Sequence, residues 1–462
     1  MRLPANALRP APGGERGSAL VITLWVAFGL VALALYFAQS TTLELRGSDN
    51  RAAMQEADQA IEGAARYAVY LLSNLQQPGV LPELVTYQHE AVPVGDATFW
   101  FLGRQDSQGG LSGLSAATPT QPWFALVDEA SKLNLNTATQ EMLEQLPGMT
   151  SQFAAAIVDW RDEDDEVTTG GAEDQAYLLR RPAYHCKNAD FESIDELRLV
   201  ANATPQLLYG EDLNRNGVLD PNENDGETSS PMDNRDGRLD PGLLEYVTVH
   251  SQEPTTTTNG TARVNLGQAG FNQQLASVLE TQLGADRSNA ILGRLGGPTT
   301  TFNSVLEFFS RSGMTVDEFA LIEADVYATQ GTNAPRGLVN VNTASQAVLT
   351  CIPGVGTENA ATLVGYRQTH SNRRNTVAWV AEVLGEQAIA QAGPYLTGRS
   401  YQFTADVAAV GHFGRGYRRT RFVLDLTNGT PQIVYRQDLS HLGWALGRQV
   451  REQQQQLTMN LR

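Results

Sequence analysis

A stretch of twenty residues without a single charge, close to the N-terminus, constrains this chain more than any other feature. It begins at Ala19 and ends at Ala38. As an α-helix, at about 1.5 Å per residue, it spans about 30 Å, which is the thickness of the hydrocarbon core of a bilayer. The sequence therefore predicts a membrane-spanning segment.

A helical pattern continues beyond the apolar stretch. Apolar residues recur at intervals of three and four, which marks one face of an amphipathic helix; they are Ile61, Ala65, Ala68, Leu72 and Leu75. The pattern predicts one helix that crosses the membrane in its first half and packs on a folded body in its second. The alternatives are a signal peptide cleaved near Ser40, or an ordinary anchor for an exported domain.

Composition narrows the choice of partners and of orientation. With 462 residues, a formal charge of −18 and 42% hydrophobic residues, the chain is long enough for two or three packed domains with an acidic surface. Such a surface repels nucleic acid and attracts divalent cations.

The arginines before the apolar stretch predict a cytoplasmic N-terminus and an exported C-terminal part. Cys186 and Cys351 could form a disulfide or remain two buried thiols.

Strand patterns occupy both ends of the exported part. Residues 84–102 predict a hairpin, and residues 122–128 predict a further strand after a Gly-, Ser- and Thr-rich loop over residues 107–120. Three more strands are predicted over residues 401–410, 418–426 and 432–438, with Asn428-Gly429 as a hairpin turn. The simplest topology is a sheet that is interrupted by a large helical insertion.

The insertion contains a repeat. Leu133-Asn134-Leu135-Asn136 begins one copy, Val339-Asn340-Val341-Asn342 begins another, and Val264-Asn265-Leu266-Gly267 is a weaker third. In both strong copies Thr is followed three residues later by Gln (Thr137 and Gln140, Thr343 and Gln346), which predicts a capping box. A Pro-Gly turn and a second helix ending in Arg161 or Arg367 follow, as in helix-hairpin-helix units.

Helix-hairpin-helix turns often hold a DNA phosphate on their backbone amides, and Gly354-Val355-Gly356 has the form required. The first copy lacks the second glycine, and five acidic residues follow it at 162–166, where a DNA-binding protein would place lysines. We therefore expect structural modules and no nucleic acid. The six histidines form no zinc or nucleophile motif, so the sequence predicts no enzyme.

One loop has the spacing of a calcium site. Oxygen-bearing side chains occupy positions 1, 3, 5, 9 and 12 of a twelve-residue loop with Gly at position 6, and the carbonyl at position 7 completes the set. The predicted ligands are Asp212, Asn214, Asn216, Val218, Asp220 and Glu223. A second acidic run is either a partial second site or an ordinary loop; its candidates are Asp225, Asp233, Asp236, Asp240 and Glu245.

Two further sets of residues resemble known proteins. Arg16-Gly17 before the apolar stretch resembles the site at which prepilin peptidase cuts, here between Gly17 and Ser18, and the fifth residue after that cut is Ile22 where most pilins have Glu. The segments 131–138, 157–162, 184–188 and 191–197 closely resemble the K family of type II secretion pseudopilins, whose members typically lack that Glu. A subunit without this carboxylate needs no neighbour above it, because an isolated charge in lipid requires a partner.

The resemblance implies an α+β fold, in which a pilin-like long N-terminal helix packs on an antiparallel sheet. An all-helical insertion with two helix-hairpin-helix (SAM-like) modules and bound Ca²⁺ interrupts that sheet. The implied protein is a minor pseudopilin in the inner membrane, with a periplasmic C-terminal domain, that caps or initiates the pseudopilus. Its partners would be the other minor pseudopilins, the major pseudopilin and prepilin peptidase. The rival functions are a membrane-tethered DNA receptor and a minor tip subunit of a type IV pilus.

These expectations divide the chain into nine segments. The leader, the membrane-spanning part of the helix and the first part of the core are predicted over residues 1–17, 18–38 and 39–128. The insertion consists of a first module (129–204), a calcium-binding region (205–246), a further helical segment (247–335) and a second module (336–398). The returning strands (399–440) and a C-terminal tail (441–462) complete the chain.

Overall fold

The computed structural model describes residues 16–104, 121–297, 299–331 and 333–460, so most of the predicted leader and the loop predicted over residues 107–120 lie outside the described residues. The helices, in chain order, are α1 Arg16–Ser73, α2 Gln140–Glu144, α3 Ser151–Arg161, α4 Asp174–Leu178, α5 Pro205–Tyr209, α6 Asn272–Leu283, α7 Ala285–Leu295, α8 Val305–Ser312, α9 Val316–Ile322, α10 Gln346–Thr350, α11 Gly356–Thr369, α12 Glu386–Ala392 and α13 Gly447–Asn460. The strands are β1 Val92–Val94, β2 Ala97–Leu102, β3 Val127–Asp128, β4 Leu133–Asn134, β5 Val247–Thr248, β6 Val264–Asn265, β7 Val326–Tyr327, β8 Val339–Asn340, β9 Leu396–Thr397, β10 Gln402–Gly411, β11 Arg415–Asp425 and β12 Gln432–Asp438.

The single long N-terminal helix is confirmed. Helix α1 runs without a break for 58 residues, and its apolar first half is exposed along its whole length. In length and composition it is the one helix of the described chain that could cross a membrane. The second half packs on the sheet through alanines, which let the helix backbone approach closely; Ala57, Ala60, Ala64 and Ala68 are fully buried.

The sheet has the antiparallel order β1-β2-β10-β11-β12, and β3 pairs with one end of β10. The two predicted groups of strands therefore meet in one sheet, with β10 against β2 in the middle, as the interrupted topology predicts. One face of the sheet forms a core with α1 through Phe99, Phe101 and Phe403. We call the sheet, the insertion and the part of α1 from Ala53 onward the head.

The opposite face of the sheet carries a second, smaller core. Trp100, Ala408 and Val410 point into it from the strands, and Leu446 and Val450 close it from the C-terminal segment. The predicted tail thus contains helix α13, which lies over the sheet near Gly414. The sheet is consequently covered on both faces.

The insertion is built from three units of the same topology. Each unit starts with a two-residue strand that contains an Asn, continues through helices, and closes with a short parallel strand beside the first: β4 with β5, β6 with β7 and β8 with β9. The weak third copy in the sequence is therefore a complete middle unit, with four helices from α6 to α9. All three units share one hydrophobic core.

In the first and in the last unit, an equivalent arginine donates to backbone carbonyls of the same unit. Arg161 donates to the carbonyls of Leu135 and Ala138, and Arg367 donates to those of Val341 and Ala344. These guanidinium groups satisfy carbonyls that the chain exposes between the first strand and the first helix. The repeated sequence thus encodes a repeated hydrogen-bonding arrangement.

The predicted capping boxes were placed two residues too early. The N-caps of α2 and α10 are Thr139 and Ser345, whose hydroxyls accept from the amides of Met142 and Val348. In each unit a turn precedes this helix: the side-chain oxygen of Asn134 or Asn340 accepts from the amide two residues later. Thr137 and Thr343 belong to these turns, where their amides donate to the carbonyls of Asn134 and Asn340. Of the two alternatives for the cysteines, the structure has two free, buried thiols.

Candidate metal centre

The loop from Asp212 to Glu223 is folded around its own oxygen atoms. The two carboxylate oxygens of Asp212 accept from the amides of Asn216 and Gly217, each at 2.9 Å. The side-chain oxygen of Asn216 accepts from the amide of Val218 at 2.7 Å. Arg215 and Gly217 lie in the left-handed region, with φ of 54° and 71°, which turns the backbone sharply at positions 4 and 6 of the loop.

Glu223 closes the loop at its last position. Its Oε1 accepts from the amide of Leu213 at 3.2 Å and its Oε2 from the amide of Asp220 at 3.0 Å. Asp220 in turn accepts from the side-chain amides of Asn214 and Asn216, at 2.7 and 3.2 Å. All five predicted side-chain ligands are therefore brought into one compact loop.

The electrostatics of this loop favour a cation. Asp212 and Glu223 are buried, and burial raises the pKa of both carboxyl groups. For Glu223, burial and the nearby charges of Asp212 and Asp220 raise the pKa to about 8. Three carboxylates in a desolvated loop repel each other, and a hard divalent cation relieves that repulsion. The donor set of carboxylates, amide oxygens and a carbonyl fits Ca²⁺.

Among the described residues, no three His, Cys, Asp or Glu side chains already converge on one point at metal-binding distance. The side chains of the loop are instead turned toward its backbone amides and toward each other. Ca²⁺ binding would require the carboxylates to exchange some of these hydrogen bonds for the ion. The metal ligands therefore stay a prediction.

The loop rests on the sheet through buried charges. Arg419 of β11 donates to the carbonyls of Asn214 and Arg215 and forms a bidentate pair with Asp406 of β10, with both N···O distances at 2.8 Å. Arg104, just after β2, also donates to the carbonyl of Arg215, at 2.8 Å. Burial alone would raise the pKa of Asp406, but Arg419 and Arg421 lower it well below its usual range. Three strands therefore hold the back of the loop.

The second acidic run folds into a similar loop with a different closing residue. Arg235 and Gly237 repeat the left-handed turns, with φ of 55° and 73°. The sequence offered Asp225 or Glu245 to complete it, but Asp225 accepts from Ser229, and Glu245 pairs with Arg104 at 2.8 Å.

Glu211 occupies the closing position of this second loop instead. It accepts from the amides of Asn234 and Asp240, at 3.3 and 3.2 Å, much as Glu223 does in the first loop. Sequence reasoning missed Glu211 because it precedes the run by more than twenty residues. The carboxylates of the other predicted candidates accept from backbone amides. Asp233 accepts from the amides of Asp225, Gly226 and Arg235, Asp236 from that of Arg238, and Asp240 from that of Gly242.

A group of unpaired oxygens in the first unit was also missed. Asp159 and Glu173 are almost fully buried, and oxygens of these two residues, of Asp162 and of Asn188 have no hydrogen-bond partner among the described residues. Burial, and then the charges of Asp159 and Asp162, raise the pKa of Glu173 to about 7. The run of five acidic residues at 162–166 was a signal in the sequence, which we used as an argument against DNA binding.

The architecture defines a class of protein. A helix that is apolar and exposed in its first half, and packed by its second half on an antiparallel sheet, is the arrangement of pilin-like subunits. The chain adds a three-unit helical insertion and acidic loops to that core.

Part of this chain is similar in sequence to known proteins. Residues 123–209 match the family model of the type II secretion system protein K. The type II secretion system protein K of Klebsiella pneumoniae is 37% identical over 71 residues, which are 15% of this chain and 22% of that protein. The aligned part thus spans about a fifth of that relative. The resemblance to the K family is confirmed over this region.

One solved structure is similar at low level. It is the GspK-GspI-GspJ complex from the type 2 secretion system of enterotoxigenic Escherichia coli. The match covers 86% of this chain and 99% of the other, with 14% sequence identity and a TM-score of 0.40. These values are too low to transfer any detail of that complex.

Proposed function

We propose that this protein is a minor pseudopilin that caps or initiates the periplasmic pseudopilus of a type II secretion system. One observation carries the proposal: the K-family region, residues 123–209, begins in the sheet of a pilin-like core and continues into the insertion. The role is assembly of a filament that exports folded proteins, and it requires no catalysis. The other minor pseudopilins and the major pseudopilin are its partners.

The N-terminal end of this chain supports a position at the tip of the pseudopilus. Prepilin peptidase would cut between Gly17 and Ser18, and α1 would then anchor the mature protein in the inner membrane with its head in the periplasm. Ile22 leaves the span without the carboxylate that would need a subunit above it. The bulky three-unit insertion also suits an end of the filament better than its shaft.

We further propose that the first and last units are helix-hairpin-helix modules that serve packing. Helices α2 and α3, and α10 and α11, are joined by turns with left-handed Gly148 and Gly354. A Cβ on Gly354 would come within 2.7 Å of Gln391 in α12. This turn therefore packs against another helix at Gly354, and the acidic residues at 162–166 follow the first module, which together disfavour the DNA-receptor alternative.

We propose Ca²⁺ as the ligand of the Asp212 loop, held by Asp212, Asn214, Asn216, Val218, Asp220 and Glu223. The ion would neutralise the buried carboxylates and so couple metal binding to folding of the head. The Glu211 loop and the unpaired oxygens around Asp159 and Glu173 are further places where a cation would relieve charge.

The proposal is tested by expressing the full-length chain together with the other minor pseudopilins of the same genome and purifying it in detergent. We expect a stable complex, and mass spectrometry should find a mature N-terminus at Ser18. A Gly17→Ala variant should keep the leader. A start near Ser40 would contradict a pilin-type anchor, and a complex only with type IV pilus subunits would favour the pilus alternative. Salt-sensitive DNA binding would favour the receptor.

A further inference from the structure

The turn between β10 and β11 packs closely against helix α1 at the point where the helix leaves the head. Gly411 and Gly416 lie directly against the helix backbone: a Cβ on Gly411 would be 2.1 Å from the carbonyl oxygen of Ala53, and one on Gly416 would be 2.3 Å from its carbonyl carbon. Ala53 is fully buried, whereas residues 19–39 are exposed. We call the contact of Ala53 with residues 411–416 the clasp.

His412 joins two carboxylates across the clasp. Asp49 and Glu56 lie one helical turn on either side of Ala53, on the same face of α1. The Nδ1 of His412 is 2.6 Å from Oε2 of Glu56, and its Nε2 is 2.9 Å from Oδ1 of Asp49. The backbone amide of His412 also donates to Glu56, at 3.0 Å. The imidazole ring is only 14% exposed.

This geometry depends on the charge of the ring. An ionised carboxylate only accepts hydrogen bonds, and a neutral imidazole carries a single N–H. Both contacts can exist at once only if both ring nitrogens are protonated, so the arrangement describes an imidazolium. On losing a proton, one nitrogen would present a lone pair to a carboxylate, and that contact would become repulsive.

Other charged groups also lie at the clasp. Arg415 of β11 pairs with the second oxygen of Asp49. The contacts with His412 outweigh burial and lower the pKa of Glu56, so this carboxylate stays ionised. Helix α13 contributes Gln454, which packs on Gly414 and does not titrate. Farther along α1, Asp58 pairs with Arg418 at 2.8 Å, outside the histidine contacts.

We propose that His412 is a protonation-dependent clamp: as an imidazolium it ties Asp49 and Glu56 together and fixes the direction in which the first half of α1 leaves the head. Once the ring loses a proton it can no longer donate to both carboxylates, so the clamp opens as the pH rises. Since a charge-assisted hydrogen bond is lost, the ratio of clasped to open molecules should fall about tenfold or more.

The test measures the angle between the anchor and the head in the full chain, reconstituted in lipid nanodiscs. Spin labels at the exposed sites Thr42→Cys and Thr430→Cys report the distance by pulsed electron paramagnetic resonance; the native cysteines are buried and do not compete for label. The clamp predicts a narrow distance distribution near pH 5.5 and a broader one, with a new open population, near pH 8.

Two variants separate charge from packing. His412→Arg retains a cation and should stay narrow at both pH values, whereas His412→Gln should be broad at both. His441→Gln, at an exposed histidine in the following segment, should behave like the wild type. The proposal is overturned if the wild-type distribution is the same at both pH values, a result that does not depend on any variant folding, or if His412→Gln retains the pH response.

Discussion

Glu129 shows how a single residue joins the sheet to the insertion. It is buried between the two, where its carboxylate accepts from the hydroxyls of Thr248 at 2.5 Å and Thr404 at 2.6 Å. Burial would raise the pKa of this carboxyl group, but Lys132 and His250 and the two hydroxyls outweigh it and lower the pKa to about 2. An ionised group at this joint is therefore part of the folded state.

The low pKa of Glu129 predicts a loss of stability in acid. The unfolded chain takes up the proton near pH 4.5 and the folded protein only near pH 2, so this contribution is complete above pH 4.5 and disappears as the pH falls toward 2. It amounts to on the order of 3 kcal/mol. Denaturant unfolding from pH 5 to pH 2 should show a shallower acid decline for Glu129→Gln than for the wild type. The exposed Glu83→Gln should match the wild type, and parallel profiles for all three would contradict the assignment.

Glu223 should decide the response to Ca²⁺. In the wild type, Ca²⁺ at about 100 times its dissociation constant should raise the free energy of unfolding by about 2.7 kcal/mol, because the ion binds only the folded loop. Glu223→Gln removes a charged ligand and relieves repulsion, so it should fold without Ca²⁺ and gain little from it. Thermal unfolding with Ca²⁺ and with a chelator measures both. Glu227→Gln, at an exposed position nearby, should keep the full response; an equal response in Glu223→Gln would remove it from the ligand set.

At the scale of single residues, the sequence predicted the candidate site where its oxygen-bearing residues are close together in the chain. The spacing from Asp212 to Glu223 predicted one compact loop, because a short loop brings its own oxygens together. Glu211 was missed since its partners, Asn234 and Asp240, are distant in sequence and meet it only after folding. The helix start at Thr139 was misjudged because Thr137 has the same capping chemistry two residues earlier.

At the scale of elements, the sequence repeat predicts some of the three strand–helix–strand units better than others. The Pro-Gly turns predicted the helix pairs of the first and last units. In the middle unit the first helix, α6, has 12 residues where α2 and α10 have 5, and it meets α7 at Gly284 without a proline. Its opening strand is followed by Gly267 where the others have Asn136 and Asn342. The sequence therefore shows this copy only weakly, and the pairing of β6 with β7 identifies it as a complete unit.

Gly267 cannot be replaced without strain by Asn, the residue at the equivalent position of the other two units. A Cβ at this position would be 2.2 Å from the carbonyl oxygen of Thr329, which follows the closing strand β7. Gly267→Asn should therefore push the two ends of the middle unit apart and cost about 2 kcal/mol or more of unfolding free energy. In contrast, Gly293→Ala in α7 meets open space and should stabilise the helix by up to about 1 kcal/mol. Denaturation midpoints of the two variants should move in opposite directions.

At the scale of the whole molecule, the loop from Asp212 to Glu223 is fixed to the sheet by hydrogen bonds. The carbonyls of Asn214 and Arg215 accept from Arg419, which pairs with Asp406, and both Arg419 and Asp406 are buried. Buried charge networks of this kind tolerate little displacement, because any unpaired member keeps its desolvation cost. A loop that tightens on an ion must therefore also restrain the strands behind it.

This coupling predicts where Ca²⁺ slows hydrogen exchange. Protection should increase in residues 212–223 and also in β10 and β11 around Asp406 and Arg419, because opening those strands would release the loop carbonyls. Helices α6 and α7, which have no contact with the loop among the hydrogen bonds of the described residues, should exchange at the same rate with and without the ion. Mass spectrometry of the full-length protein, with Ca²⁺ and after chelation at one pH, resolves these regions. Protection confined to the loop would mean that it folds independently of the sheet, and uniform protection would mean that Ca²⁺ stabilises only the global fold.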